Sequence, residues 1–227
     1  RPRVLLVGVR KDSGIPVGDS DDAIEAGLIP KSGKPAPHIE DLLGDLLDPH
    51  YENGGATNQY PTDPINELQE NLRRDPQSGH ASKSGDPLTE HQYSKHRSKI
   101  IEKFKYMIDN KGDIPESMRT KKFAQRVLPS HWENGPTITA TSLPDDYVHY
   151  AQPRIPTVRE WARIQMFPDW YRFSGKRTTG GLRRAGNPRQ NNFDRELPKY
   201  TQIGNAVPVK LAYEVGMHFK KIINTLS

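Results

Sequence analysis

Apolar positions along the chain gather into short clusters separated by long polar stretches. Val4 to Val9 (VLLVGV) are aliphatic apart from one glycine and end at Arg10-Lys11, a pattern that predicts a buried strand; Asp12 to Gly18 then turns the chain. Ile39, Leu42, Leu43 and Leu46 recur at helical spacing and predict a helix over His38 to Leu47 with an acidic opposite face. Between Asp48 and Asp86 the breakers Asn53-Gly54-Gly55 and Ser84-Gly85-Asp86-Pro87 predict long loops around one short helix, Ile65 to Leu72. A longer helix is expected from His91 to Ile108, with Ile100, Ile101, Phe104 and Ile108 on one side and Lys95, Arg97, Lys99 and Lys103 elsewhere. Asn110 and Gly112 stop it. Thr137 to Ala140 (TITA) reads as a short strand after Gly135-Pro136.

The sharpest local signal is Thr157-Val158-Arg159-Glu160, a capping box: the Thr157 hydroxyl accepts from the Glu160 amide while the Glu160 carboxylate accepts from the Thr157 amide. A helix starts there and ends at Phe167-Pro168-Asp169. In it Trp161 and Ile164 pack, while Arg159 and Arg163 order neighbouring loops. A further helix begins near Asn205, with Val207, Leu211, Val215, Phe219 and Ile222 as an apolar stripe and Pro208 in its first turn.

Composition changes this picture in one respect. Only 33% of 227 residues are hydrophobic and 20 are proline, a thin core for the length; the chain is either loop-rich or completes its core against another segment. The apolar run directly after Arg1 favours the second reading, with a further segment expected before it. Net charge is +5, but its distribution matters more. Asp19 to Glu52 holds nine acidic residues against Lys31 and Lys34, a net of −7, whereas Tyr171 to Lys199 carries a net of +6. The absence of cysteine excludes disulfides and thiolate metal sites. With no cysteine and no apolar segment resembling a signal peptide, a cytoplasmic location is the default, and no run approaches the roughly 20 apolar residues that span a bilayer, so no membrane partner is expected. His91, His96, His131 and His149 lack metal-ligand spacing, because His91 and His96 are one residue too far apart for one helical face.

Three segments resemble one family. Arg1-Pro2-Arg3 before VLLVGVR is similar to the end of motif VIII of cytosine-5 DNA methyltransferases; Arg154 to Phe173 (RIPTVREWARIQMFPDWYRF) resembles motif IX; Lys199 to Val209 (KYTQIGNAVPV) resembles motif X. Their order is also the family's. The resemblance implies an α/β fragment: one strand and the C-terminal helix of a doubly wound methyltransferase domain, plus a loop-rich α+β target-recognition domain. The implied division is residues 1–12 (terminal strand), 13–152 (target recognition), 153–199 (motif IX helix and basic loop) and 200–227 (motif X and returning helix).

Methylating a cytosine within a duplex requires flipping the base out and holding its polar edge, which a guanidinium can do. By resemblance, Arg3 reaches the flipped cytosine and Arg1 supports the pocket; otherwise the two flank a surface strand. Asn205, Ala206 and Val207 are the implied contacts of S-adenosylmethionine, on a turn whose free amides at a helix start suit a polar ligand, or Asn205 only caps its own helix. Lys176, Arg177, Arg183, Arg184 and Arg189, in a glycine-rich loop, suit DNA phosphates, the alternative being a solvated loop. About five such contacts would give a log-log salt slope of roughly −4 to −5. Thr137 and Thr139 are candidate base readers by their place near the end of the variable region.

The family's chemistry uses a cysteine thiolate in a Pro-Cys motif and a glutamate in Glu-Asn-Val, and neither string occurs here. The resemblance therefore implies the target-recognising, cofactor-closing part of an enzyme whose nucleophile lies in an N-terminal catalytic part, inactive by itself, with double-stranded DNA as partner. A second reading is a non-catalytic DNA-binding or regulatory module.

Overall fold

The structure is a computed structural model, which describes all residues except 1–4, 16–17, 19–21, 23, 32–34, 120–124, 130–135, 137, 139–142, 179–187, 192, 194–196 and 225–227. The chain divides into two compact units, one of Ala36–Ala206 and one of Arg1–Pro35 with Val207–Ser227.

In the larger unit, helix α1 (Ile39–Leu43) runs into a 3-10 turn, Gly44–Leu46, and the four predicted apolar positions Ile39, Leu42, Leu43 and Leu46 are all buried. The opposite face is acidic and exposed at Glu40 and Asp41, but Asp45 is fully buried. Helix α2 (Glu67–Arg73) starts at Asn66, whose side chain accepts from the Gln69 amide at 2.9 Å. Helix α3 (Ser98–Asp109) begins later than periodicity predicts. Residues 91–93 are instead held extended, with the Thr57 amide on the His91 carbonyl and the Tyr93 amide on the Gly55 carbonyl. Strand β1 (Arg126–Val127) pairs in parallel with β2 (Tyr147–Val148), and the crossover between them includes the short helix α4 (Leu143–Asp146). Helix α5 (Val158–Ile164) follows the capping box, and α6 (Lys199–Asn205) closes the unit.

Helix α5 is the centre of this arrangement. Trp161 and Ala162 pack with Leu128, Tyr147, Phe173, Tyr200 and Ile203, while Ile164 also reaches the cluster of α1, Tyr60, Leu72 and Leu88. Phe104, Met107, Val148 and Ile155 form a third cluster under α3.

The smaller unit holds helix α7 (Val209–Asn224), none of whose residues is buried. Within this chain residues 5–9 pair with no strand among the described residues, and Leu5 is 46% and Leu6 93% exposed. A strand needs a neighbour for its backbone groups, which local sequence cannot supply. The last helix does not begin near Asn205. Pro208 has no amide to donate to the Gly204 carbonyl and its ring would collide with it, so α6 ends and α7 starts at Val209. The expected strand Thr137 to Ala140 lies outside the described residues except for Ile138, which packs on the first cluster.

Candidate nucleic-acid and cofactor site

The start of α5 is fixed by a fully buried polar cluster. The Glu160 amide donates to the Thr157 hydroxyl oxygen at 3.2 Å and the Thr157 amide to the Glu160 carboxylate at 2.7 Å, which completes the predicted box. Arg154 forks onto both Glu160 oxygens, at 2.7 and 2.6 Å. Burial alone would raise the Glu160 carboxyl, but Arg154 and His149 outweigh it and hold the group well below the usual range. His149 Nδ1 accepts the amides of Ala151 and Gln152, so in the neutral ring the proton sits on Nε2, 3.4 Å from Glu160. His91 Nε2 faces the Leu46 carbonyl at 3.1 Å and must donate; its Nδ1 then accepts from the Thr157 hydroxyl at 2.9 Å. Burial pushes His91 down to about 4, so the ring is neutral at pH 7. Both rings hold backbone in place.

A second cluster ties α5 to α1 and α2. Arg163 donates to Asp169 Oδ1 at 3.0 Å and Oδ2 at 2.6 Å, to Asp45 Oδ2 at 3.1 Å and to the Leu42 carbonyl at 2.8 Å. Arg73 Nε donates to the same Asp45 Oδ2 at 2.8 Å, and the Arg73 guanidinium stacks 3.9 Å over the Tyr60 ring, whose hydroxyl donates to Asp169 at 2.7 Å. Arg159 reaches the carbonyls of Thr89, Pro168 and Tyr171. Arg159 and Arg163 thus order loops, as their place in the helix suggests, and both are fully buried.

The basic loop leaves this core through Gly175, at φ 85°, a backbone conformation that favours glycine. Lys176 is exposed and Arg177 is half-buried, donating to the Gln92 carbonyl at 3.1 Å. Arg189 is exposed just beyond; Arg183 and Arg184 lie outside the described residues, as do Arg1, Arg3, Thr137 and Thr139. Helix α6 is stitched to this loop. The Lys199 amide donates to the Lys176 carbonyl at 2.9 Å, and Gln202 Nε2 to the carbonyls of Ser174 and Leu197 at 2.8 Å each.

Asn205 is exposed at the end of α6. The expected free amide at Ala206 is not there: it donates to the carbonyls of Gln202 and Ile203, because residues 199–205 form a helix of their own and Ala206 caps it. What remains for a polar ligand at this position is the Asn205 side chain. Val207, in the smaller unit, is 48% exposed, and the first-turn amides of α7 follow it. Among the described residues there is no group of carboxylates and histidines suited to a metal, and no helix long and apolar enough to cross a membrane.

Sequence reasoning missed Asp45, Arg73, Glu90 and Arg154 as organising residues. Arg154 and Glu160 share one short segment and could have been paired by inspection. Nothing local links Asp45 to Arg163 or Glu90 to Lys199.

The backbone resembles the crystal structure of a protein described as a DNA modification methyltransferase encoded within a prophage (E. coli), with TM-score 0.54 at 18% identity over 92% of this chain and 52% of that one. The fold is accordingly of methyltransferase type. The family model for C-5 cytosine-specific DNA methylases matches residues 1–221, and the chain belongs to that family. It is 31% identical over 189 residues to the type II methyltransferase M.DdeI of Desulfomicrobium norvegicum, covering 77% of this chain and 40% of that protein. It is 32% identical over 220 residues to DNA (cytosine-5)-methyltransferase 1A of Oryza sativa subsp. japonica, covering 82% of this chain and 12% of that one. The chain therefore spans well under half the length of these relatives.

Proposed function

We propose that this chain is the target-recognition and cofactor-closing part of a DNA (cytosine-5-)-methyltransferase, and that it works with an N-terminal catalytic part carrying the cysteine nucleophile. The observation that carries this reading is a family match over residues 1–221 in a chain without any cysteine. Two features support it. The aliphatic residues 5–9 find no partner strand among the described residues, and Leu211, Tyr213 and Ile223 on α7 are 40 to 57% exposed. A catalytic part would supply the sheet and the apolar surface they lack.

In this reading Arg3, supported by Arg1, holds the polar edge of the flipped cytosine, and Lys176, Arg177, Arg183, Arg184 and Arg189 contact phosphates. Thr137 and Thr139 are candidates for reading base edges. S-adenosylmethionine supplies the methyl group. The exposed Asn205 side chain fits a polar group of such a ligand, with Ala206 and Val207 adding contact surface. The buried clusters around α5 take no part in the chemistry and fix where these residues stand. Type II methyltransferases among the relatives make a modification enzyme of a restriction system the natural setting.

A tritiated methyl-transfer assay tests this with the chain alone, its catalytic part alone and the two mixed. Transfer only in the mixture is expected; transfer by the purified chain would refute the mechanism. In the complete enzyme, Arg3→Ala should reduce methylation far more than duplex binding, and equal losses would remove Arg3 from the flipped base. A module that binds duplex tightly yet never restores transfer would favour a regulatory role.

A further inference from the structure

Glu90 stands in the left-handed region at φ 64°, which side chains other than glycine rarely adopt. A strained residue persists where its surroundings over-determine it, and here three contacts do so. Its carbonyl accepts the Arg159 amide at 3.0 Å, one of the first-turn amides that α5 cannot satisfy itself. Its carboxylate accepts both bonds of Lys199 Nζ, at 2.7 and 2.8 Å, at a site where the two side chains are only 12% and 19% exposed. The left-handed turn is what lets one residue send its carbonyl to the start of α5 and its carboxylate to the start of α6. Lys199 also holds the basic loop, through the bond from its amide to the Lys176 carbonyl.

We infer that Glu90 is a positioning residue: its ion pair with Lys199 sets α6 against α5, and so places both the DNA-facing loop at Lys176 and the cofactor-facing Asn205. Helix α6 spans seven residues, so its two ends are about 9 Å apart along a stiff rod. A tilt at Lys199 moves Asn205 with it. This inference rests on the methyltransferase reading for its functional consequence, and its structural half stands on the contacts alone.

The test uses Glu90→Gln, Lys199→Met, their combination and the swapped pair Glu90→Lys with Lys199→Glu in the complete enzyme. Each single variant should raise KM for S-adenosylmethionine by about 3- to 10-fold, within the span that couplings between contacting residues cover. The combination should be no worse than the worse single, and the swap should recover most of the loss. Amide exchange over residues 199–206 of the full chain should quicken in the single variants while that of 158–164 stays slow. Glu90→Gly relieves the backbone and removes the carboxylate, so it should keep its thermal midpoint and still show the raised KM. Wild-type KM with wild-type exchange, or additive losses in the combined variant, would overturn the inference. Absence of methyl transfer by the unmutated enzyme would sink the function reading, and the exchange measurement would still decide this one.

Discussion

Replacing Arg163 with methionine removes one guanidinium from a site where its partners cannot reach water. Arg163 and Asp45 have fully buried side chains and Asp169 is 4% exposed, so the substitution leaves two carboxylates short of donors. Asp45 keeps Arg73 and Asp169 keeps Tyr60, with Arg159 at 3.6 Å. The Leu42 carbonyl loses its 2.8 Å donor. Breaking a buried pair from one side costs about 3–5 kcal/mol, because the remaining charge stays desolvated. Partial compensation by Arg73 and Arg159 places the expectation near the lower end of that range. Urea unfolding of the full chain, followed by tryptophan fluorescence, to which the fully buried Trp161 contributes, should show a midpoint lowered by roughly 1 to 3 M at ordinary slopes. Arg163→Lys keeps the charge but not the fork and should fall between the two. A loss below about 1 kcal/mol for Arg163→Met would mean that this cluster does not hold α5 to α1.

Thr157→Ala removes the cap and the hydroxyl that serves His91 Nδ1, and should cost on the order of 1–3 kcal/mol in the same unfolding assay. His91 is held at about 4 against 6.5 unfolded; below 6.5 the unfolded chain binds the proton first, so stability should fall as pH drops from 6.5 to 4. That loss is on the order of 3 kcal/mol at most. His91→Gln should flatten this slope, and an unchanged slope would assign it to other groups. Glu160 and Asp169, both held below their usual range, should add a loss at pH values below about 4 as each is protonated. Arg189→Ala should reduce the salt slope of duplex binding by about 1 without changing sequence preference; an unaltered slope would take Arg189 off the phosphates.

The capping box, the four buried apolar positions of α1 and the 3-10 turn after it, and the two short helices α1 and α2 were legible because each follows from neighbours within a few residues. The early part of the expected helix from His91 was not. Its periodic pattern was outcompeted by pairing with residues 55–57 and by the His91 contact to Thr157, both distant in sequence. Asp45 looked like part of a solvated acidic face and is instead matched by Arg73 and Arg163. Arg1, Arg3, Thr137 and Thr139 rest on resemblance alone.

By itself the sequence determined the family, through motif strings at Arg154 to Phe173 and Lys199 to Val209, and the local starts and stops that side chains and prolines impose within one or two turns. Tertiary structure alone decided which charges are buried and in what company, that the Ala206 amide is already used, and that residues 5–9 lack a partner among the described residues. The reason is the range of the forces. A cap is satisfied by atoms three residues away, whereas a buried carboxylate or an unpaired strand is settled only by whatever the fold brings beside it.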